Sequence, residues 1–338
     1  MIIVLKPGTD PKEAQEILGQ IERLGLKPLF MPGTERVVLG ALGDERVIAS
    51  LHLESHPHVE SVTPILAPYK LVSRELHPHD TVVPLGDHTV FGGERFVVIA
   101  GPCAVENREQ MDTAARSVKE AGASALRGGA FKPRTSPYAF QGLGEEGLEI
   151  LAQTGRAHGL PVVTEVVDAG DVAAVERHAD ALQVGARNMQ NYRLLQALGH
   201  CRKAVILKRG MAATLNELLL AAEYIVGEGN PNVILCERGI KTYEPATRNT
   251  LDLSAVPYIK QKSHLPVLVD PSHGTGRRDL VEPMACAAAA CGADGIMVEV
   301  HPDPSRALSD GEQSLYPDQF RALMRRLKPF VEAAGRTM

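Results

Sequence analysis

The chain has 338 residues, 44% of them hydrophobic, with 31 Gly and 23 Pro, which suits a large core cut by frequent turns. A formal charge of −5, with 4% aromatic residues and no Trp, excludes a basic nucleic-acid surface and a stacking platform for bases. The five cysteines form no CxxC pair, the apolar runs are broken by Gly or charge, and the first residues carry no basic leader; free thiols in a cytoplasmic protein without a membrane span are expected.

Residues 1–66 are expected to form a separate small α+β domain. Ile2–Leu5 reads as a strand. Asp10 caps a helix over Pro11–Leu24, with Pro11 in its first turn and Ile17, Leu18, Ile21 and Leu24 on one face. Short strands near Pro28–Phe30 and over Val37–Ala41 follow, then a helix from Asp44 to about Ser55 and a strand over Val59–Leu66. Strand, helix, strand, strand, helix, strand is the ferredoxin-like order, suited to a sensor, a stabilising cap or an oligomer contact. Residues 67–95 read as a polar, Pro-rich linker. His52, His56, His58, His77, His79 and His88 lie in or before it without regular ligand spacing, so they are read as surface residues.

From 96 to 338 strands alternate with amphipathic stretches. The expected strands are Phe96–Ala100, Ser124–Arg127, Val162–Val166, Ala181–Val184, Val205–Lys208, Val233–Cys236, Val267–Asp270 and Ile296–Val300. Helical patterns fall at Asn107–Ala121, Glu145–His158, Asp171–His178, Tyr192–Gly199, Thr214–Gly227, Asp279–Cys291 and Pro317–Ala334. Eight strand-helix units over about 240 residues is the count of a TIM (β/α)8 barrel. A doubly wound sheet would carry a Gly-rich dinucleotide loop after its first strand, and Gly101-Pro102-Cys103 is not one.

Barrel chemistry sits just after the strands, so the strand ends read as one list. Cys103, His273, Glu299 and Asp310 offer a thiol, an imidazole and two carboxylates, a mixture suited to Mn, Fe, Co or Zn without choosing among them. Taken singly, each has a structural alternative: Cys103 a buried inert thiol, Glu299 the partner of an Arg. Arg127, Lys132, Arg134, Arg187, Lys208 and Arg238 bring six cations to the same mouth. Unless carboxylates such as Glu165 or Glu237 pair with them, they would repel one another without an anion among them. Phosphate and carboxylate groups would use them.

These motifs, Gly101-Pro102-Cys103-Ala104-Val105-Glu106, Arg127 through Ser136, Gly185-Ala186-Arg187-Asn188, Leu207-Lys208-Arg209-Gly210 and Asp270-Pro271-Ser272-His273, together resemble 3-deoxy-D-arabino-heptulosonate 7-phosphate (DAHP) synthases. The resemblance spans essentially the whole chain and is to the type I-beta branch, which has a ferredoxin-like regulatory domain ahead of the barrel. It implies condensation of phosphoenolpyruvate with erythrose 4-phosphate, the first step toward chorismate and the aromatic amino acids. It implies metal ligation by Cys103, His273, Glu299 and Asp310, and phosphoenolpyruvate contacts from Arg127, Lys132, Arg187, Lys208 and Arg238. Arg134 and Thr135 would hold the aldose phosphate; Lys132, Glu165 and His273 would be the catalytic residues. It further implies a tyrosine or phenylalanine effector and a homotetramer. The nearest rival, 3-deoxy-D-manno-octulosonate 8-phosphate synthase acting on arabinose 5-phosphate, typically shows Lys-Ala-Asn-Arg-Ser where this chain has Lys132-Pro133-Arg134-Thr135-Ser136. A non-catalytic anion-binding sensor is the rival of another class.

Overall fold

The computed structural model describes the chain except residues 33–35, 45–46, 48–50, 64–66 and 135. It divides into two compact units, residues 1–78 and 79–338.

In the first unit, β1 (Ile2–Leu5), β2 (Lys27–Pro32), β3 (Val37–Leu42) and β4 (Val59–Thr63) form an antiparallel sheet in the ferredoxin-like order β2-β3-β1-β4. Ile3 lies opposite Leu39 on one side and Val62 on the other. The helix Pro11–Arg23 starts where the Asp10 carboxylate accepts from the Lys12 amide at 2.8 Å. Its Ala14, Ile17, Leu18 and Ile21 join Ile3, Leu5 and Leu39 in one core. Each fully buried Ile or Leu there contributes roughly 1.5–3 kcal/mol. Leu24 does not share that face: it is the C-cap residue and 46% exposed, because the helix stops at Arg23. Five residues of the helix expected from Asp44 to about Ser55 lie outside the described residues, as do the last three of Val59–Leu66; at the end of that stretch Leu53–Ser55 form a single 3-10 turn.

In the second unit, β7 (Val97–Gly101), β8 (Ala125–Arg127), β9 (Val162–Val166), β10 (Ala181–Val184), β11 (Ala204–Lys208), β12 (Val233–Glu237), β13 (Val267–Val269) and β14 (Gly295–Glu299) close a parallel barrel. β14 closes onto β7 with Glu299 opposite Gly101. Apolar residues fill both faces of these strands, since helices cover the outside and side chains pack the inside. Gly101 is required at its position: its φ is +150°, and an added Cβ would lie 2.2 Å from the Arg127 carbonyl oxygen.

Three features were not legible in the pattern. Part of the expected linker forms a hairpin, β5 (Val83–Leu85) with β6 (Thr89–Phe91). Its Val83, Leu85 and Phe91 are fully buried in one cluster with Val97, Ala125, Ala181 and Ala204, where the barrel strands begin. Three-residue strands are too short to register as alternation. Ala255–Lys262 is a helix whose Pro257 sits in the first turn, where a missing amide costs nothing. Asp270 leaves the strand and caps the short helix Pro271–Thr275 instead.

Candidate active site

The barrel brings Cys103, His273, Glu299 and Asp310 together. One ligand atom from each lies within 4.8 Å of all the others. Cys103 follows β7, Glu299 ends β14, and His273 stands on the helix capped by Asp270. Asp310, at a left-handed φ of 53°, comes from the loop after β14. The Asp270 carboxylate orients His273 twice: Oδ1 accepts its backbone amide at 2.9 Å, and Oδ2 faces Nδ1 at 2.7 Å. Nε2 of the same ring faces Glu299 Oε1 at 3.3 Å and Asp310 Oδ2 at 4.0 Å. A ring nitrogen set beside two carboxylates is a place for positive charge, either a proton on Nε2 or a metal ion that takes its lone pair.

Burial pushes the Cys103 thiol up to about 12, and the Glu299 carboxylate adds to the effect. The thiol donates to Asp310 Oδ2 at 3.1 Å. Burial would also raise Glu299 and Asp310. Only together do His273 and Arg127 at Glu299, and His273, the Cys103 hydrogen bond and Arg248 at Asp310, outweigh it, so both carboxyls lie below their ordinary value. Two ionised carboxylates, an inward imidazole nitrogen and a thiol form a donor set that a divalent transition metal fits.

Beside this cluster lies a cavity of about 490 Å³. Arg127, Lys132, Arg134, Arg187, Lys208 and Arg238 all line it, as do the carboxylates of Glu165 and Asp310. Two of these cations pair with buried acids: Arg127 Nη1 donates to Glu299 at 2.6 Å, and Lys208 Nζ to Asp270 at 2.6 Å. Lys132 Nζ donates to the Cys103 sulfur and carbonyl, both at 3.0 Å. Burial opposes its charge, while Cys103 and Glu165 beside it raise its pKa. Arg134 bonds the Ser309 hydroxyl, and Arg187 reaches the Pro133 carbonyl at 3.4 Å. Arg238 Nη1 is buried with no hydrogen-bond partner among the described residues, and burial lowers its pKa. An anion in the cavity would supply what it lacks. The acids named as alternative partners for these cations make their hydrogen bonds elsewhere: Glu165 accepts from Gln183 at 3.0 Å, and Glu237 takes Arg209 at 2.9 Å. Thr135 lies outside the described residues.

Sequence reasoning missed Gln183, Lys241, Arg248 and Asn249, which also line the cavity. Gln183 had a signal, a polar residue within the buried strand Ala181–Val184. The other three sit in the loop after β12, where spacing carries no information.

A barrel mouth with a metal-fitting donor set and surplus cations defines an enzyme of small anionic substrates. Residues 80–333 match the model of the DAHP synthetase I family, and residues 1–67 that of the DAHP synthase ferredoxin-like domain. The chain belongs to the DAHP synthetase I family. It is 53% identical over 335 residues to phospho-2-dehydro-3-deoxyheptonate aldolase of Thermotoga maritima, covering 99% of each chain. The crystal structure of the Thermotoga maritima enzyme aligns with a TM-score of 0.79 at 52% identity, covering 99% of this chain and 98% of that one. A 2-dehydro-3-deoxyphosphooctonate aldolase from Syntrophobacter fumaroxidans is more distant, 35% identical over 70% of this chain and 87% of its own. The activity is that of a DAHP synthase, a transferase that forms a carbon–carbon bond, with the octulosonate-forming enzymes as distant relatives. No helix among the described residues is long and apolar enough to cross a membrane.

Proposed function

We propose that the cavity holds phosphoenolpyruvate and erythrose 4-phosphate beside a divalent ion carried by Cys103, His273, Glu299 and Asp310. The observation that carries this reading is the four-residue donor cluster at the wall of a cavity lined by six expected cations. When bound, the ion supplies Lewis acidity toward the aldehyde oxygen; Mn, Fe, Co and Zn all suit the donor set. Arg127, Lys132, Arg187, Lys208 and Arg238 hold the phosphate and carboxylate of phosphoenolpyruvate. Arg134 and Thr135 hold the aldose phosphate. Fixing both anions sets C3 of phosphoenolpyruvate against the aldehyde carbon. As that bond forms, the cations offset the charge that moves, and Lys132 gives a proton to the new alkoxide oxygen. Glu165 positions the water that adds at C2, and cleavage of the C–O bond then releases phosphate. The donor cluster argues against a non-catalytic sensor.

Residues 1–66 we assign to regulation by tyrosine or phenylalanine and 96–338 to catalysis, with the expected linker 67–95 contributing its 83–91 hairpin to the barrel core, in a cytoplasmic homotetramer. What supports the regulatory part is the match to the ferredoxin-like domain of this family. The decisive assay uses metal-stripped protein with each metal restored singly, and erythrose 4-phosphate against arabinose 5-phosphate. Phosphate release independent of metal, or preferring the pentose, overturns the proposal.

A further inference from the structure

Glu299 is gripped from two sides. Arg127 holds Oε1 at 2.6 Å, and the side-chain amide of Gln313 donates to Oε2 at 2.7 Å. Gln313 is fully buried. Its own oxygen accepts from Arg248 Nη2 at 2.7 Å, and the same guanidinium holds Asp310 Oδ1 with two contacts of 3.2 Å. The amide can face only one way. Turned over, it would set oxygen against the carboxylate and NH2 against the guanidinium. The chain two residues on is tied to the same strand: Leu315 N donates to the Glu299 carbonyl at 2.8 Å, and Val300 bridges Leu315.

We propose that Gln313, braced by Arg248, is a positioning residue that sets the Glu299 carboxylate for a divalent ion at the barrel mouth. The chemistry of the side chain fits the task. Lys or Arg at 313 would orient Glu299 too, but would bring another cation to a place that must accept one. An acid would repel Glu299. A neutral amide donor orients the carboxylate and leaves its charge for the ion. Arg248 spans the two acids of the set, bonding Asp310 directly and reaching Glu299 through Gln313, so one cavity-wall residue ties their relative positions.

The inference rests on the divalent-ion reading, and the test separates the two. Co2+ is titrated into the full chain against a competing chelator, and the thiolate-to-cobalt absorption band is recorded. Gln313→Met keeps volume and removes both hydrogen bonds. It should weaken Co2+ binding about 10–100-fold and change the intensity or position of the band. A Gln313→Met chain with the parent's affinity and band overturns the inference alone. A parent chain that binds no Co2+, or whose binding and band survive Cys103→Ala unchanged, overturns the metal reading and the inference with it. Should Gln313→Met fail to fold, Arg248→Met decides, since that side chain is partly exposed. A loss of about tenfold supports the bracing role and unchanged affinity overturns it.

Discussion

Replacing Asp270 by Asn tests the joint between the cation cluster and the donor set. The buried Asp270 carboxylate serves three donors: Lys208 Nζ at 2.6 Å, His273 Nδ1 at 2.7 Å and the His273 amide at 2.9 Å. Burial alone would raise its pKa, but His273 and Lys208 beside it hold it well below the usual carboxylate range. Asn keeps the size and loses the charge. Its single oxygen can cap the helix or face Lys208 and His273, and the NH2 then opposes a donor either way. Breaking a buried ion pair from one side costs about 3–5 kcal/mol. The imidazole also loses the carboxylate that orients its ring, which should weaken ion binding about 10–100-fold, or about 1.4–2.8 kcal/mol. Urea unfolding of the ion-free chain, followed by circular dichroism, reads the first effect, and Mn2+ titration reads the second. An Asp270→Asn chain with the parent's urea midpoint and an ion affinity within about twofold would refute the reasoning.

Lys132→Met should lower kcat roughly 10²–10⁴-fold with an unchanged circular dichroism spectrum; full turnover would remove Lys132 from proton transfer. Because the ion-free Cys103 thiol is raised to about 12, it is protonated at neutral pH, and an ion that takes it as thiolate must displace that proton. The sign follows: apparent ion affinity rises with pH, about tenfold per unit between roughly pH 6 and 8 if this proton dominates. Calorimetry in buffers of different ionisation enthalpy should count the release, and none would contradict thiolate ligation. Gly101→Ala drives a Cβ into the Arg127 carbonyl at a φ of +150° and should destabilise the barrel by about 3 kcal/mol or more; an unshifted thermal midpoint would contradict that. A chain lacking residues 1–68 should keep synthase turnover and ignore tyrosine and phenylalanine, whereas an intact chain indifferent to all three aromatic amino acids would end the regulatory proposal.

The strands and the donor residues were readable in the chain itself. A buried parallel strand is a local object: Val97–Gly101 announces itself by four consecutive apolar residues stopped by Gly101-Pro102, whatever it packs against. Since a barrel gathers all its strand ends at one mouth, reading those ends found Cys103, Glu299, Arg127 and Lys208, and the Asp270-Pro271-Ser272-His273 turn found His273. What each side chain touches was another matter. Nothing in the sequence around Arg127 names its partner, and closure of β14 onto β7 gave it Glu299, 172 residues away. Lys208 and Arg209 are adjacent cations, yet one faces the cavity and the other is held by Glu237 and Asp252, because successive residues leave a strand on opposite faces. Gln313, Arg248 and Asn249 lie in loops without a period, so only the folded backbone could bring them to the donor set. Periodicity records what a residue does within its own element, while partnership across 65 or 172 residues is settled when the ring of strands closes.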